Sequence, residues 1–366
     1  MKFKTVSTDK LINFGKKYLL SKGVDEADAS YITGVIVTIE AMGVHTHGLT
    51  MFPYFESVIP EELNPKAKPE IVKEKGASAL IDAKSGFAQL AMRLAQETAV
   101  KKAKKQGIAM VAVKNALWMG AVGVYLIPLA LQGYFAQIWA QTSTCTDCAP
   151  YGGIEGTFST NPVGFAFPVK QPSAKKIIDS PEELSANITE DVPAVISDFS
   201  TASMSMGKAN TLISEGLKAS EEVFLDSRGR LTNDPAVIKE GGTLLFFGGK
   251  NYGYKGYGMS LWCEALTAMG GGSANNPESK TRQSINLTVI DPEAFEGTDY
   301  YYKEIERFKN RVKKSKLHPG FKEIRFPGER GLKQLKLSQE KGVDVNSELL
   351  SKLNGIALKY RMEEIK

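Results

Sequence analysis

The chain has 366 residues, 42% of them apolar and 24% charged, with a formal net charge of +5. That length suits two domains of an ordinary globular protein. No run approaches the roughly 18 apolar residues of a membrane span, and three cysteines make no disulfide framework. The basic clusters at 101–105 and 309–316 read as solvated helix faces rather than a nucleic-acid surface. The first residues, MKFKTVSTDKLINF, turn polar at once and lack the apolar stretch of a signal peptide, so a soluble cytoplasmic protein is expected.

In chain order, Thr8 is positioned to cap a first helix, with Leu11, Ile12, Tyr18 and Leu19 at helical spacing and Gly23 ending it. A second helix is expected over 25–42, with Ala29, Ile32, Val35, Ile36 and Ile39 on one face. Pro60, Pro65 and Pro69 mark an extended linker. From residue 78 the texture alternates. Strands are expected at 79–83, 108–113, 135–141, 164–169, 193–199, 243–247 and 285–291. Helices are expected at 86–106, 120–132, 204–218 and 256–269. Residues 170–192 read as an exposed, charged insertion. Helices return at 300–316, 329–340 and 345–364. The connections are too irregular for a steady βαβ alternation. A helical domain made of 1–70 plus 300–366 is therefore expected around an α/β domain of 75–299.

Two of the three histidines, His45 and His47, sit in one turn, EAMGVHTHGLT, at 40–50. Histidine is the side chain suited to proton transfer near neutral pH, and this chain has few. The third, His318, lies beside Pro319-Gly320. Cys145 and Cys148 form a CxxC that, with His45 and His47, offers four zinc ligands. A lone CxxC without a second pair is weak support for zinc, and no metal is expected. No GxGxxG follows a strand, and no phosphate-binding P-loop or GxSxG is present. The run GGKNYGYKGYG at 248–258 precedes a helix, and with Lys255 it offers either a phosphate cradle or a plain flexible turn.

Several stretches taken together resemble the type-2 malate/L-lactate dehydrogenases, whose relatives include sulfolactate, ureidoglycolate and diketogulonate oxidoreductases. The family's Ser-His-Gly turn is Thr46-His47-Gly48 here, followed by Pro53. NALWMGAVGVY at 115–125, Pro150-Tyr-Gly-Gly153, Thr160-Asn161-Pro162 and DFST at 198–201 follow in order. Gly207-Lys208, Thr232-Asn-Asp-Pro235, the glycine run ending at Gly258, and Pro327-Gly328-Glu329 complete the series. Each match alone is weak; their shared order over most of the chain is fairly specific.

The resemblance implies a homodimeric oxidoreductase that uses NAD or NADP on a small 2-hydroxy or 2-oxo acid. It implies a non-Rossmann α/β fold with a mostly antiparallel central sheet and a discontinuous helical domain from both chain ends. The proton-transfer histidine maps to His47. Cofactor contacts map to Thr144, Thr160, Asn161, Asp198, Phe199, Ser200, Thr201, Lys255 and Gly256, and less firmly to the segment 284–286. Thr46, Met51 and Trp118 fall at substrate positions. Three departures stand out: Trp118 replaces a second histidine, Met51 replaces an arginine, and His45 replaces an aspartate. Arginine is the natural bidentate clamp for a carboxylate, so a larger, less cationic pocket is expected. An imino-acid reductase of the same family and a catalytically weak cofactor binder remain the alternatives.

Overall fold

The computed structural model describes residues 3–172, 193–279 and 283–365, so the insertion read at 170–192 lies outside the described residues from 173 onward. Strand β1 (Phe3–Val6) leads into helix α1 (Thr8–Ser21). Ser7, not Thr8, caps that helix: its hydroxyl accepts from the Lys10 amide, while Thr8 is turned inward and buried. Helix α2 (Glu26–Ala41) was expected to bury one face. Every residue from Tyr31 to Ala41 is buried, which makes it a core helix covered on all sides. Helix α3 (Met51–Val58) was not foreseen; its Pro53 sits in the first turn, where no backbone N–H is needed.

The presumed linker contains β2 (Glu70–Lys75), an exposed edge strand whose charged side chains suit an edge. It joins β3 (Ser78–Asp82), β4 (Ile108–Ala116), β5 (Phe135–Thr142), β6 (Pro162–Pro168), β7 (Ala194–Ser200) and the late strand β11 (Gln283–Ile290). The seven strands run in the order β2-β3-β4-β11-β5-β6-β7. Only β3 and β4 are parallel; every other pair is antiparallel. The sheet is therefore not the doubly wound nucleotide-binding type, as the missing fingerprint implied. Helix α4 (Ala88–Gln106) packs on β4 and β11, where Val111, Val113, Leu287 and Val289 point into the main core.

Helix α6 (Met206–Glu215) follows the sheet, after the short α5 (Ile127–Leu131). The expected strand at 243–247 shrinks to β10 (Thr243–Leu244), which pairs with β8 (Phe224–Leu225), itself paired with β9 (Leu231–Thr232). Gly248 and Gly249, both at positive φ, turn the chain into α7 (Gly249–Tyr252). Helix α8 (Tyr254–Met269) then packs on β5 and β11. Alternation along the strands gives α8 the opposite face of the sheet from α4.

After α9 (Thr298–Lys313) and α10 (Glu329–Lys341) the chain forms β12 (Val343–Asn346), which was not foreseen and takes the first two residues of the helix expected over 345–364. β12 pairs antiparallel with β1, with Val6 opposite Val343, so the two ends of the described chain share one small sheet. Asn346 then caps α11 (Ser347–Lys359), its side chain accepting from the amides of Glu348 and Leu349. α10 packs against α2, and α11 against α1 and α3. Among the described residues no helix is long and apolar enough to cross a membrane.

Candidate active site

The turn between α2 and α3 is tight. The His47 amide donates to Val44 O at 3.0 Å, and the Met51 amide donates to Gly48 O at 2.9 Å. The imidazole of His47 is half-buried, with Nδ1 2.7 Å from the Thr46 hydroxyl. That bond fixes the ring and, among the described residues, leaves Nε2 without a protein partner. Burial holds the His47 pKa below its ordinary value, so the ring is neutral at pH 7.

Trp118 stands beside it. Its ring centroid is 5.7 Å from that of His47, and 5.3 Å from Tyr54, which it meets edge-on. The backbone under Trp118 is held from three directions. Gln89 Nε2 donates to the carbonyls of Trp118 and Met119, Gln283 accepts from the Met119 amide at 2.9 Å, and the Tyr125 hydroxyl donates to Met119 O at 2.6 Å. Gly120 follows at φ +83, and a Cβ there would lie 3.1 Å from His47 O and from Met51 Sδ. Met51, expected at a substrate position, is fully buried beneath this loop instead.

The same loop reaches Asp198 at the end of β7. The Gly123 amide donates to Asp198 Oδ2 at 2.8 Å, and Oδ1 has no partner among the described residues. The Asp198 side chain is exposed to solvent, with protein packed closely around it on its other sides. That desolvation pushes its carboxyl up to about 6, against the pull of the Gly123 amide. A perturbed carboxyl in a cleft is a functional-site signal. It also carries a stability cost. Its folded pKa lies above the unfolded value, so the ionised form is disfavoured by folding, and the cost grows as pH rises from about 4 to above 6. Asp198→Asn keeps an acceptor for Gly123, so Tm is expected to rise at pH 8 and hardly change at pH 5. An equal fall at both pH values would show that the charge itself is needed for folding.

Of the other expected cofactor positions, strand alternation divides Asp198 from Phe199. Phe199 points under α8, packed near Phe165 and Phe247. The hydroxyls of Ser200 and Thr201 both donate to Thr160 O at 3.0 Å. Asn161, fully buried, donates to Ser260 and to Glu264 at 2.8 Å. Burial raises the pKa of Glu264. Thr144 is half-buried in the loop after β5. Three glycines of the run, Gly248, Gly253 and Gly256, pack against backbone, while Gly249 and Gly258 have open space beside them. A Cβ on Gly256 would lie 2.6 Å from Thr201 O and from Phe247 N, and one on Gly248 would lie 2.4 Å from Tyr252 O. Lys255 is exposed above the Tyr252 ring. Close packing accounts for those three glycines without a phosphate.

Thr46, His47, Trp118 and Asp198 are thus linked through the loop from Met119 to Gly123. Gly207, in the first turn of α6, closes on Thr46: a Cβ there would come within 2.8 Å of Thr46 Cβ, and Lys208 follows it. Sequence reasoning missed Gln89, Gln283 and Glu40. Each sits on an element that carries other polar residues, so nothing in the pattern marked it out. The CxxC is divided, with Cys148 buried and Cys145 half-buried. Among the described residues no group of three or more His, Cys, Asp or Glu is arranged to hold a metal ion.

The family model described as malate/L-lactate dehydrogenase matches residues 6–180 and 184–354. L-Sulfolactate dehydrogenase of Methanocaldococcus jannaschii is 32% identical over 91% of this chain and 91% of its own. The solved sulfolactate dehydrogenase from that organism superposes with a TM-score of 0.82 at 29% identity, covering 98% of each chain. A Δ1-pyrroline-2-carboxylate/Δ1-piperideine-2-carboxylate reductase of Pseudomonas putida is 29% identical over 90% of each chain. With the family model spanning nearly the whole sequence and the fold matching throughout, the chain belongs to the malate/L-lactate dehydrogenase family.

Proposed function

We propose that this protein is an oxidoreductase that moves a hydride between a nicotinamide cofactor, NAD or NADP, and C2 of a small 2-hydroxy or 2-oxo acid. The observation that carries the reading is that one loop, 118–123, meets both the His47 turn and Asp198, while His47 Nε2 and Asp198 Oδ1 have no partner among the described residues. A nicotinamide bound there accepts or supplies the hydride. Asp198 and the nearby Ser200–Thr201 backbone fit a cofactor better than the glycine run does. His47, neutral at pH 7, takes the hydroxyl proton when the acid is oxidised and returns it when the 2-oxo acid is reduced. Thr46 orients the ring. Trp118 forms an apolar wall beside it. Lys208, exposed in the first turn of α6 and following Gly207, whose backbone meets Thr46, is the cation we assign to the substrate carboxylate in place of the missing arginine.

The wall favours a bulky or weakly charged substrate, because a second carboxylate against Trp118 would lose solvent without a partner. Turnover of oxaloacetate, pyruvate, a branched or aromatic 2-oxo acid and a cyclic imino acid, each with NADH and NADPH, tests this. We expect the branched or aromatic acid to have the highest kcat/KM. Oxaloacetate ahead by about tenfold, a gap of only about 1.4 kcal/mol, would mean that another cation serves a second carboxylate. Preference for the imino acid would move the protein to the reductase reading, which the P. putida relative supports. No turnover of any of them, with the cofactor bound, would leave a catalytically weak binder.

In this reading the N- and C-terminal segments form one helical domain around the sheet domain, and the protein acts in the cytoplasm as a homodimer. Trp262 and Met269, seven residues apart on α8, are 57% and 67% exposed and offer an apolar stripe to a second copy. Light scattering is expected to give twice the chain mass, and Trp262→Glu to halve it. A wild-type monomer would refute the assembly.

A further inference from the structure

We infer that Glu40 is a positioning residue that brackets His47, with His45 as its charge partner. This rests on His47 being the proton-transfer group. Glu40 lies in the last turn of α2 and is 1% exposed. Its two carboxylate oxygens go to opposite sides of His47 in the chain. Oε1 is 2.6 Å from His45 Nδ1, and Oε2 accepts from the Leu49 amide at 2.8 Å. One rigid side chain on a core helix therefore holds the turn at both flanks. A buried carboxylate is costly unless it is paired and hydrogen-bonded, and here both oxygens are engaged.

Three further observations point the same way. Gly48 lies against the Glu40 backbone, where a Cβ would be 2.9 Å from Glu40 Cα, so the turn and the helix are in direct contact. Val44 donates to Ile39 O at 3.2 Å and Gly43 to Glu40 O at 2.9 Å, which ties the entrance of the turn to the same helix end. The charged groups facing His45 are Glu40 on α2, Asp344 on β12 and Arg330 on α10. The hydrogen bond to Glu40, helped by the charges of Glu40 and Asp344, favours its protonated form; burial and, more weakly, Arg330 oppose it, and the net effect raises its pKa. The bracket is thus tightest while His45 carries its proton, and it loosens as pH rises through the His45 pKa.

The consequence is that Glu40 and His45 set the aim of His47 without touching substrate. Misplacing a catalytic group by about 1 Å can cost on the order of 100-fold. Glu40→Ala removes both contacts, and we expect kcat to fall about tenfold or more with the Kd of the nicotinamide cofactor unchanged. Glu40→Gln still offers an oxygen to Leu49, so it should recover most of that loss.

NMR gives the readout that a merely structural role would not move. The chain has only three histidines, so the imidazole signals of His45, His47 and His318 can be followed separately. In the wild type, His45 should titrate above the ordinary histidine value. In both Glu40 variants it should titrate at or below that value. In Glu40→Ala alone the His47 signals should also move away from their wild-type positions. Should Glu40→Ala fail to fold, the His45 titration in Glu40→Gln tests the charge pair and the His47 signals in His45→Gln test the positioning: they should move from their wild-type positions, and unchanged signals there overturn the inference.

A folded Glu40→Ala protein with unchanged kcat and unchanged His47 signals overturns the inference. A wild type that turns over none of the acids sinks the proposed reaction instead. In that case the histidine titrations still decide whether Glu40 positions the turn.

Discussion

His47→Ala is expected to lower kcat by at least about 100-fold while cofactor binding stays within a few-fold, since general acid–base catalysis is worth roughly 10²–10⁴. Three features point to this residue rather than His45. The Thr46 hydroxyl fixes its ring through Nδ1, burial keeps it neutral at pH 7, and Nε2 is left for a ligand. His45 is exposed, and its Nδ1 is engaged by Glu40. His45→Ala should therefore cost much less, acting only through the orientation of the turn. Steady-state kinetics of both variants beside a fluorescence titration of NADH or NADPH make the comparison. If His45→Ala proves the more damaging, the assignment of the proton-transfer group is wrong.

Gly48→Ala should be nearly as harmful, by a different route. An added Cβ would sit 2.3 Å from Glu40 Oε2 and 2.9 Å from Glu40 Cα. The carboxylate end can swing aside, but the helix backbone cannot. The turn must then move off α2, taking His47 with it. Such overpacking costs about 1–3 kcal/mol of stability, and the displacement should reduce turnover by well over tenfold. Gly355 provides the control. It lies exposed in α11 with nothing within 4 Å of an added Cβ. Alanine there should leave activity intact and stabilise the helix by about 0.5–1 kcal/mol. Thermal melts and kcat for the two variants separate steric conflict from loss of glycine as such. A Gly48→Ala protein as stable and active as the wild type would mean that the contact with Glu40 is not close in solution.

The sheet was largely legible because its strands are short apolar runs between glycines and prolines, and β4, β5, β6, β7 and β11 fall within a few residues of expectation. The misses share a cause. β1, β2 and β12 are only four to six residues long, and the exposed ones carry alternating or charged side chains, so tertiary pairing rather than pattern makes them strands. The all-round burial of α2 was hidden because Thr33, Thr38 and Glu40 interrupt its apolar residues, yet all three are buried. Thr38 donates to Gly34 O, Glu40 is bonded to the His45–Leu49 turn, and the Thr33 hydroxyl has no partner among the described residues.

The candidate site was legible only in outline. His47 and the DFST stretch could be named from order and resemblance. That Asp198 faces the His47 loop while Phe199 faces α8 follows from strand alternation only once the register of β7 is known. Met51 was expected at the pocket because it stands where the resemblance puts an arginine. Helix α3 begins at that residue and turns its side chain inward. Glycines 248, 253 and 256 suggested a phosphate loop, yet backbone-to-backbone contact, which composition cannot distinguish from ligand contact, explains all three.

The measurement that bears most directly on the proposed reaction is label transfer. The protein is incubated with each 2-oxo acid and a reduced nicotinamide cofactor carrying deuterium on both C4 positions, and the product acids are analysed by mass spectrometry. Transfer of one deuterium to C2 of a 2-hydroxy acid by the wild type, falling at least about 100-fold in rate with His47→Ala, is the predicted result. No labelled hydroxy acid with any of the substrates, or label arriving at the same rate without His47, would contradict it.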